Sequence, residues 1–432
     1  MTDSRSPRLL RSIAKALGSS ILIQAFVLVS GIAAARLLGP TDRGYLALIW
    51  TVSLTVSQLG SLGLPLAVTH AIASGHRTPS ELFRDMRRSI AVQVIAVMLV
   101  HAACLTALVS FTATPSGAAW TSVLVMPAML LQMFTLAVFQ GAHDERALHR
   151  LRVLPVGLYA GALLTLAVVP EHSLLAVSLA WTLSYVVAAG FSLVAARPVL
   201  TAAPQASRTP LNTTERRDMR RFGYRSLLGW ASPTETFRID QLIVGLVLSA
   251  HSLGLYVAAL AFTNLPRFIA QGIGLVAYPA VSRASTPGEK RAAIRRYVLL
   301  GGGISIVACG VLAVAAEILM SIAFGSSFTD AAGPLRVLLL GTAVLCVRRV
   351  LTDAVRGAGL ETAGSQAEIL SWFVLVPALF AGAPFGLYGV ATAIVVSYVV
   401  SLGALSVLTV RGLGADWSGP TPNDPRDGVP DA

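Results

Sequence analysis

The sequence predicts an all-α polytopic membrane protein, with twelve transmembrane helices in two six-helix pseudo-symmetric lobes. Three observations lead there. Of 432 residues, 55% are hydrophobic and 12% charged, with mean hydropathy +0.71, whereas a soluble domain carries about 25% charged residues. Apolar runs of span length recur along the chain, each near the about 20 residues needed to cross about 30 Å of hydrocarbon. The second half also repeats marks of the first in the same order. A soluble enzyme is excluded on composition alone.

Apolar runs interrupted by Gly, Pro or charge give candidate spans at 17–38, 44–70, 88–111, 119–140, 153–169 and 173–195. The second set is 226–249, 253–281, 297–322, 333–356, 365–382 and 386–410. Residues 1–16 form a basic N-terminus, 17–195 the N-lobe, 196–225 a cytoplasmic linker rich in Pro, Thr and Arg, and 226–410 the C-lobe; 411–432 reads as a disordered cytoplasmic tail. Arg5, Arg8, Arg11 and Lys15 before an apolar run resemble a signal peptide. That run is long and has no clear cleavage site before Arg36, so it reads as a retained first span.

The net charge is +12, from 33 basic and 21 acidic residues. The excess can be read as nucleic-acid affinity, but its distribution favours a membrane explanation and no nucleic-acid partner. With the N-terminus inside, same-side segments carry four basic residues at 1–16, four at 75–88, three at 141–152, seven at 196–225 and five at 282–296, with Arg356 beyond the tenth span. The opposite loops hold Arg36, Arg43 and Arg336. This positive-inside pattern puts both termini in the cytoplasm. All but two of the basic residues are arginine, a composition suggesting a GC-rich bacterial genome; the expected location is a bacterial cell membrane. Cys104, Cys309 and Cys346 all fall in apolar runs without disulfide or metal-ligand spacing, and read as small core residues.

The repeat has a period near 210 residues. Gly44-Tyr45 matches Gly254-Leu255-Tyr256; the segment 63–74 matches 274–285; Arg87-Arg88 matches Arg295-Arg296; Gln140-Gly141-Ala142 matches Arg356-Gly357-Ala358. Ser184-Tyr185-Val186-Val187 recurs unchanged at Ser397–Val400. An even number of spans per half relates the halves by an axis along the membrane normal, the plan of carriers whose lobes rock around a midplane site.

An ionisable group at a span centre costs about 2.5–3.5 kcal/mol on insertion scales, so it faces a cavity or a partner. The deep charges all fall in the second half. Glu235, Arg238 and Asp240 lie in the seventh span, Arg267 beside Pro266 in the eighth, and Arg348, Arg349 and Asp353 in the tenth. Helical spacing sets Glu235 against Arg238 at i,i+3 and Asp353 against Arg349 at i,i+4. Glu235, Asp240 and Asp353 are therefore candidates for charge pairing or ion coupling. Arg267 and Arg348 have no acid within reach on their own helices, and guanidinium groups grip phosphate in bidentate fashion. Polar groups in first-half spans are Gln24, Gln58, Gln93, His101 and Gln132, which either bond sugar hydroxyls or bond neighbouring helices.

On Ala35-Arg36-Leu37-Leu38-Gly39-Pro40 with Arg43-Gly44-Tyr45, and on Phe237-Arg238-Ile239-Asp240-Gln241 with Leu253-Gly254-Leu255-Tyr256, the chain resembles a polysaccharide-biosynthesis flippase. The likeness is to the oligosaccharide flippase branch of the multidrug/oligosaccharidyl-lipid/polysaccharide exporter superfamily and covers roughly residues 10–410. It implies two six-helix bundles in a V and transfer of a polyprenyl-diphosphate-linked oligosaccharide from the cytoplasmic to the outer leaflet. It also implies a cationic cavity, for which Arg238, Arg267, Arg348 and Arg349 are the phosphate-binding candidates, with Gln24, Gln58 and Gln132 as sugar-binding candidates. The bilayer is one partner, and other membrane proteins of polysaccharide assembly are expected partners.

The closest rival is an ion-coupled drug or cation antiporter of the same fold, which typically keeps an acid in the first-lobe spans; this sequence has none there. A polytopic glycosyltransferase or polymerase is disfavoured by short outer loops and by the lack of a phosphate-binding glycine loop or nucleophile–base constellation. No catalytic residue, metal ligand or cofactor is expected.

Overall fold

The structure, a computed structural model, describes residues 6–169, 172–202, 211–229 and 232–414. Residues 1–5 of the expected basic N-terminus, 203–210 of the linker and 415–432 of the tail lie outside the described residues. Every regular element among the described residues is helical.

The helix α1, Ser6–Gly60, carries the first span and most of the second. It is broken at Gly39, whose φ of 69° and ψ of 177° are not helical, and it restarts at Pro40. Glycine tolerates the positive φ, and proline suits a helix's first turn because it lacks an N–H to leave unsatisfied. A second break separates α1 from α2 (Leu64–Ala73), with Leu62 at φ 50° and Gly63 at φ 66°. The freed carbonyls of Gly60 and Ser61 accept hydrogen bonds from Gln93 Nε2 at 2.7 and 3.0 Å. The expected span 44–70 is thus two helices, with the break satisfied by a neighbour's amide.

The remaining first-half spans are α3 (Pro79–Phe111), α4 and α5 (Ser116–Thr121 and Val125–Gly141, joined by a 3₁₀ turn), α6 (Glu145–Leu166) and α7 (Leu174–Thr201). The helix α8, Thr213–Gly229, follows the linker. Asn212 and Glu215 cap it reciprocally: Glu215 N donates to Asn212 Oδ1 at 2.7 Å and Asn212 N to Glu215 Oε2 at 2.9 Å.

The seventh span departs from expectation. Instead of a helix over 226–249, residues 232–238 form turns before α9 (Ile239–Ile243) and a π-helical turn at Val244–Leu248. Pro233 supplies no N–H, while Ser232 and Thr236 satisfy local backbone groups with their hydroxyls. Glu235 and Arg238 are therefore not i,i+3 neighbours on a helix, as the sequence pattern had them.

The second half continues with α10 (Ala250–Ser282), α11 (Pro287–Val314), the short α12 (Ala316–Phe324), α13 (Ala332–Gly357), α14 (Glu361–Gly382) and α15 (Gly386–Gly414). Hydrophobic stretches of 40 residues (Ile21–Gly60) and 53 residues (Glu361–Leu413) each hold two crossings. With the broken seventh segment, the twelve expected spans each correspond to helix.

The repeat is visible in local chemistry. Thr78 and Glu81 form a capping box at the start of α3 with Pro79 between them; Thr286 and Glu289 do the same for α11 with Pro287. The two sit 208 residues apart, the offset of the Arg-Arg pairs that follow them. At the start of the second span and of α10, backbones meet reciprocally. A Cβ on Gly44 would collide with the Ala250 carbonyl, and one on Gly254 with the Pro40 carbonyl. Between these contacts Thr41 Oγ1 lies 3.4 Å from His251 Nδ1. Each of these pairs is related by an offset of 210, so the crossing maps onto itself when the halves are exchanged.

The helices pack as two compact units. One comprises Met1–Ala261, Ala316–Leu335 and Ala383–Val390; the other comprises Phe262–Ala315, Arg336–Gly382 and Ala391–Ala432. The first takes in the broken seventh span because that segment is bonded to the second span: Thr51 Oγ1 donates to Gln241 Oε1 at 3.0 Å and Thr55 Oγ1 to Phe237 O at 2.9 Å.

Candidate functional site

The first unit holds a cluster of arginine and aromatic side chains on four segments. The restart at Pro40 sets Arg43 one turn into the second span, where it is 5% exposed rather than in a loop. Its guanidinium lies 5.7 Å from the ring centroid of Trp50, two turns along the same helix. Trp50 packs against Tyr159 of α6 at 5.5 Å and Trp181 of α7 at 5.3 Å, and Trp181 meets Tyr185 edge-on at 5.8 Å. Four aromatic side chains tie these helices together here.

The break in the seventh span delivers the second cation. Arg238 adopts a left-handed conformation (φ 49°, ψ 41°) at the N-terminal end of α9. It lies within the electrostatic reach of both Arg43 and Tyr185. The other principal electrostatic neighbour of Arg43 is Tyr159, not a carboxylate. Asp240, two residues beyond Arg238, accepts a 2.6 Å hydrogen bond from Tyr256 and is 3% exposed.

Three polar atoms of this cluster are buried without a hydrogen-bond partner among the described residues: Arg43 Nη1, Trp50 Nε1 and Tyr159 Oη. Leaving a buried donor unmatched costs about 1–3 kcal/mol. All three can donate, so together they call for an acceptor. An anion with several oxygens would satisfy them and relieve the repulsion between the two guanidinium groups.

The expected arginines of the tenth span sit differently. Arg348 is 7% exposed and its Nη1 donates to Glu368 Oε2 at 2.6 Å and to Ser401 Oγ at 2.9 Å. Its own helix has no acid in reach, as the sequence indicates, but α14 supplies one that helical spacing does not reveal. Asp353 lies in the field of Arg349, the partner that helical spacing gives it, and also approaches Arg356 at 3.9 Å, an i,i+3 pair. Arg267 and Arg349 are half-buried in the same unit. Gln132 donates to the Leu151 carbonyl at 3.0 Å, so its amide ties α5 to α6; Gln24 is exposed and Gln58 half-buried. Glu235 stands in the turn segment and is exposed.

Arg43 is the residue whose charge the loop count misplaced. Trp50, Tyr159, Trp181 and Tyr185 carry no sequence signal that separates them from ordinary span aromatics. No group of three or more His, Cys, Asp or Glu among the described residues could hold a metal ion.

Residues 33–333 match the sequence profile of the polysaccharide biosynthesis protein family. The chain belongs to that family. No curated protein sequence matches. Among solved structures, an inward-facing multidrug resistance MATE family transporter of the MOP superfamily aligns with a TM-score of 0.72 at 16% identity, over 92% of this chain and 96% of that one. The lipid II flippase MurJ in an inward closed conformation aligns at 0.68 and 10% identity, over 91% and 87%. A eukaryotic MATE transporter aligns at 0.60 and 15%, over 95% and 96%. At these identities the likeness is one of fold: an all-helical, multi-pass membrane protein of the transporter type.

Proposed function

We propose that this family member is an alternating-access flippase that moves a polyprenyl-diphosphate-linked oligosaccharide from the cytoplasmic to the outer leaflet of the cell membrane, for cell-surface polysaccharide synthesis. The carrying observation is the set of buried donors without partners (Arg43 Nη1, Trp50 Nε1 and Tyr159 Oη) beside Arg238. A diphosphate offers the acceptor oxygens and negative charge that such a set lacks, and the aromatic side chains around it suit the apolar faces of sugar rings. Family membership and the MurJ-like fold support a lipid-linked cargo.

In this reading the head group leaves water for the guanidinium and indole donors while the polyprenyl chain stays in lipid. Arg43 and Arg238 hold the diphosphate; Arg267 and Arg349 remain phosphate-binding candidates within the second unit. Arg348 is held by Glu368 and serves to position helices. Gln24 and Gln58 remain sugar-binding candidates, while Gln132 is engaged elsewhere. A membrane potential negative inside pulls the anion outward by about 2.3 kcal/mol per charge per 100 mV. No bond is made or broken, so the protein acts as a carrier beside the other membrane proteins of polysaccharide assembly.

The test is leaflet transfer of a fluorescent polyprenyl-diphosphate sugar by the protein reconstituted in liposomes. Transfer that is lost in Arg43→Gln and Arg238→Gln supports the reading. Transfer unaffected by both, or transport of a lipophilic cation in its place, overturns it in favour of a drug antiporter.

A further inference from the structure

His101 lies in the middle of α3 and is fully buried. Its Nε2 is 3.0 Å from Ser53 Oγ on the second span. That serine has a single hydroxyl proton, and its oxygen lies 2.8 Å from the Ile49 carbonyl, which can only accept. The hydroxyl proton is therefore spent on Ile49, and Ser53 receives from the imidazole. His101 is the Nε2–H tautomer, with its lone pair on Nδ1. No partner for Nδ1 exists among the described residues. A buried imidazole nitrogen with a free lone pair is a vacant place for a proton.

The rest of the surroundings leave that place unmatched. Helix α3 packs against the second span in α1, against α4 and α5, and against α7. The titratable residues on these elements are Asp42, Arg43 and Tyr45 on the second span and Tyr185 and Arg197 on α7; α4 and α5 have none. On α3 itself the nearest is Cys104, one turn away, with the group from Glu81 to Arg88 more than three turns off. No carboxylate stands ready to neutralise an imidazolium. Proton uptake at Nδ1 would put both a charge and an unmatched donor into a sealed apolar contact, which is costly unless water enters. Uptake is thus tied to parting of α3 from the second span, the helix that carries Arg43 and Trp50.

We propose that His101 is a proton-binding site whose occupancy selects between two packings of α3 against the second span: the sealed one described here with Nδ1 bare, and a hydrated one with Nδ1 protonated. The proton comes from water and forms the imidazolium; Nε2–H keeps its bond to Ser53 in both. The site makes proton occupancy a driving variable for the carrier, whichever cargo is moved.

The whole protein in lipid nanodiscs, without cargo, provides the test. Nitrogen-15 spectra of histidine-labelled protein, with His101 assigned by its loss in His101→Gln, should show the Nε2–H tautomer at neutral pH. On acidification the Nδ1 signal should move to its protonated position. Hydrogen exchange in α3 around residues 97–105 should quicken with that transition by at least about tenfold over the same segment of His101→Gln at the same pH. Ser53→Ala should release the tautomer preference while keeping the acid response. A neutral Nδ1–H tautomer, a His101 signal that never titrates while the protein remains folded, or equal exchange in the wild type and His101→Gln overturns the proposal. Loss of leaflet transfer in Arg43→Gln bears on the cargo alone and leaves these readouts untouched.

Discussion

Arg43 and Arg348 are both buried guanidinium groups, and their neighbours assign them different work. Arg348 has its charge matched by a carboxylate: Glu368 and Ser401 take up its Nη1, although its Nε is buried without a hydrogen-bond partner among the described residues. Removing one partner of a buried ion pair strands the other, at a cost of about 3–5 kcal/mol. We expect Arg348→Ala to lower the unfolding temperature in detergent, and Arg348→Met with Glu368→Leu to recover most of the loss. Arg43 faces Tyr159 and Arg238 instead of a carboxylate, so its replacement removes a repulsion along with a cation–π contact worth about 1 kcal/mol. Arg43→Gln should therefore keep thermal stability within about 1 kcal/mol while binding of inorganic diphosphate, read by calorimetry, weakens about 10- to 100-fold, the worth of one hydrogen bond to a charged group. Arg43→Lys should not restore it, because an ammonium lacks the planar fork. Sequence spacing can find acids on the same helix; it cannot find Glu368, which reaches Arg348 only through the packing of α14 on α13.

At the scale of elements, the crossing of the second span with α10 tolerates no side chain at two positions. Gly44→Ala and Gly254→Ala both drive a Cβ into a carbonyl, and backbone cannot turn aside as a flexible side chain does. Overpacking typically costs about 1–3 kcal/mol, and we expect each substitution to reach at least the upper end, with folded yield in membranes as the measurement. Gly310→Ala is the control, since nothing lies within 4 Å of its added Cβ. The linker helix α8 shows a different dependence. The backbone N–H of Asn212 and then the Arg77 guanidinium, at 2.9 Å, hold the Glu215 carboxyl below the ordinary carboxylate range. A group depressed in the folded state stabilises above its unfolded pKa, and that contribution disappears as pH falls through the folded value. Protection of the amides in residues 213–229 against hydrogen exchange, relative to the intrinsic rate at the same pH, should accordingly fall on acidification below about pH 4.5, and Glu215→Gln should be weakly protected at every pH. The existence of these elements was legible from apolar run lengths and from Pro and Gly positions. The break at 232–238 was not, because Glu235, Arg238 and Asp240 fit a helical pattern equally well, and the hydroxyl bonds of Ser232 and Thr236 that undo the helix carry no periodic signature.

For the molecule as a whole, composition and repeat sufficed for the class of fold: a chain with so few charges has no other solvent in which to fold, and even-numbered halves enter from one side. The arrangement of the site needed coordinates, since Arg43, Tyr159, Trp181 and Arg238 come from segments separated by up to 195 residues. The alternating-access cycle proposed above makes a global prediction at the crossing. Thr41→Cys with His251→Cys should form a disulfide under mild oxidation, given the 3.4 Å side-chain approach. The cross-linked protein should insert normally yet transfer no lipid-linked sugar until a reductant is added; undiminished transfer while cross-linked would mean this end of the molecule stays closed throughout the cycle.

The self-mapping contact at Gly44 and Gly254 also constrains how the gene can change. Losing one residue between Gly39 and Gly44 would turn everything after it by about 100° around the helix axis and swing a bulky neighbour into the space both backbones occupy. Such a loss would be felt 210 residues away, at the matching turn of the second copy. At this spot each copy sets the space that the other's backbone can occupy.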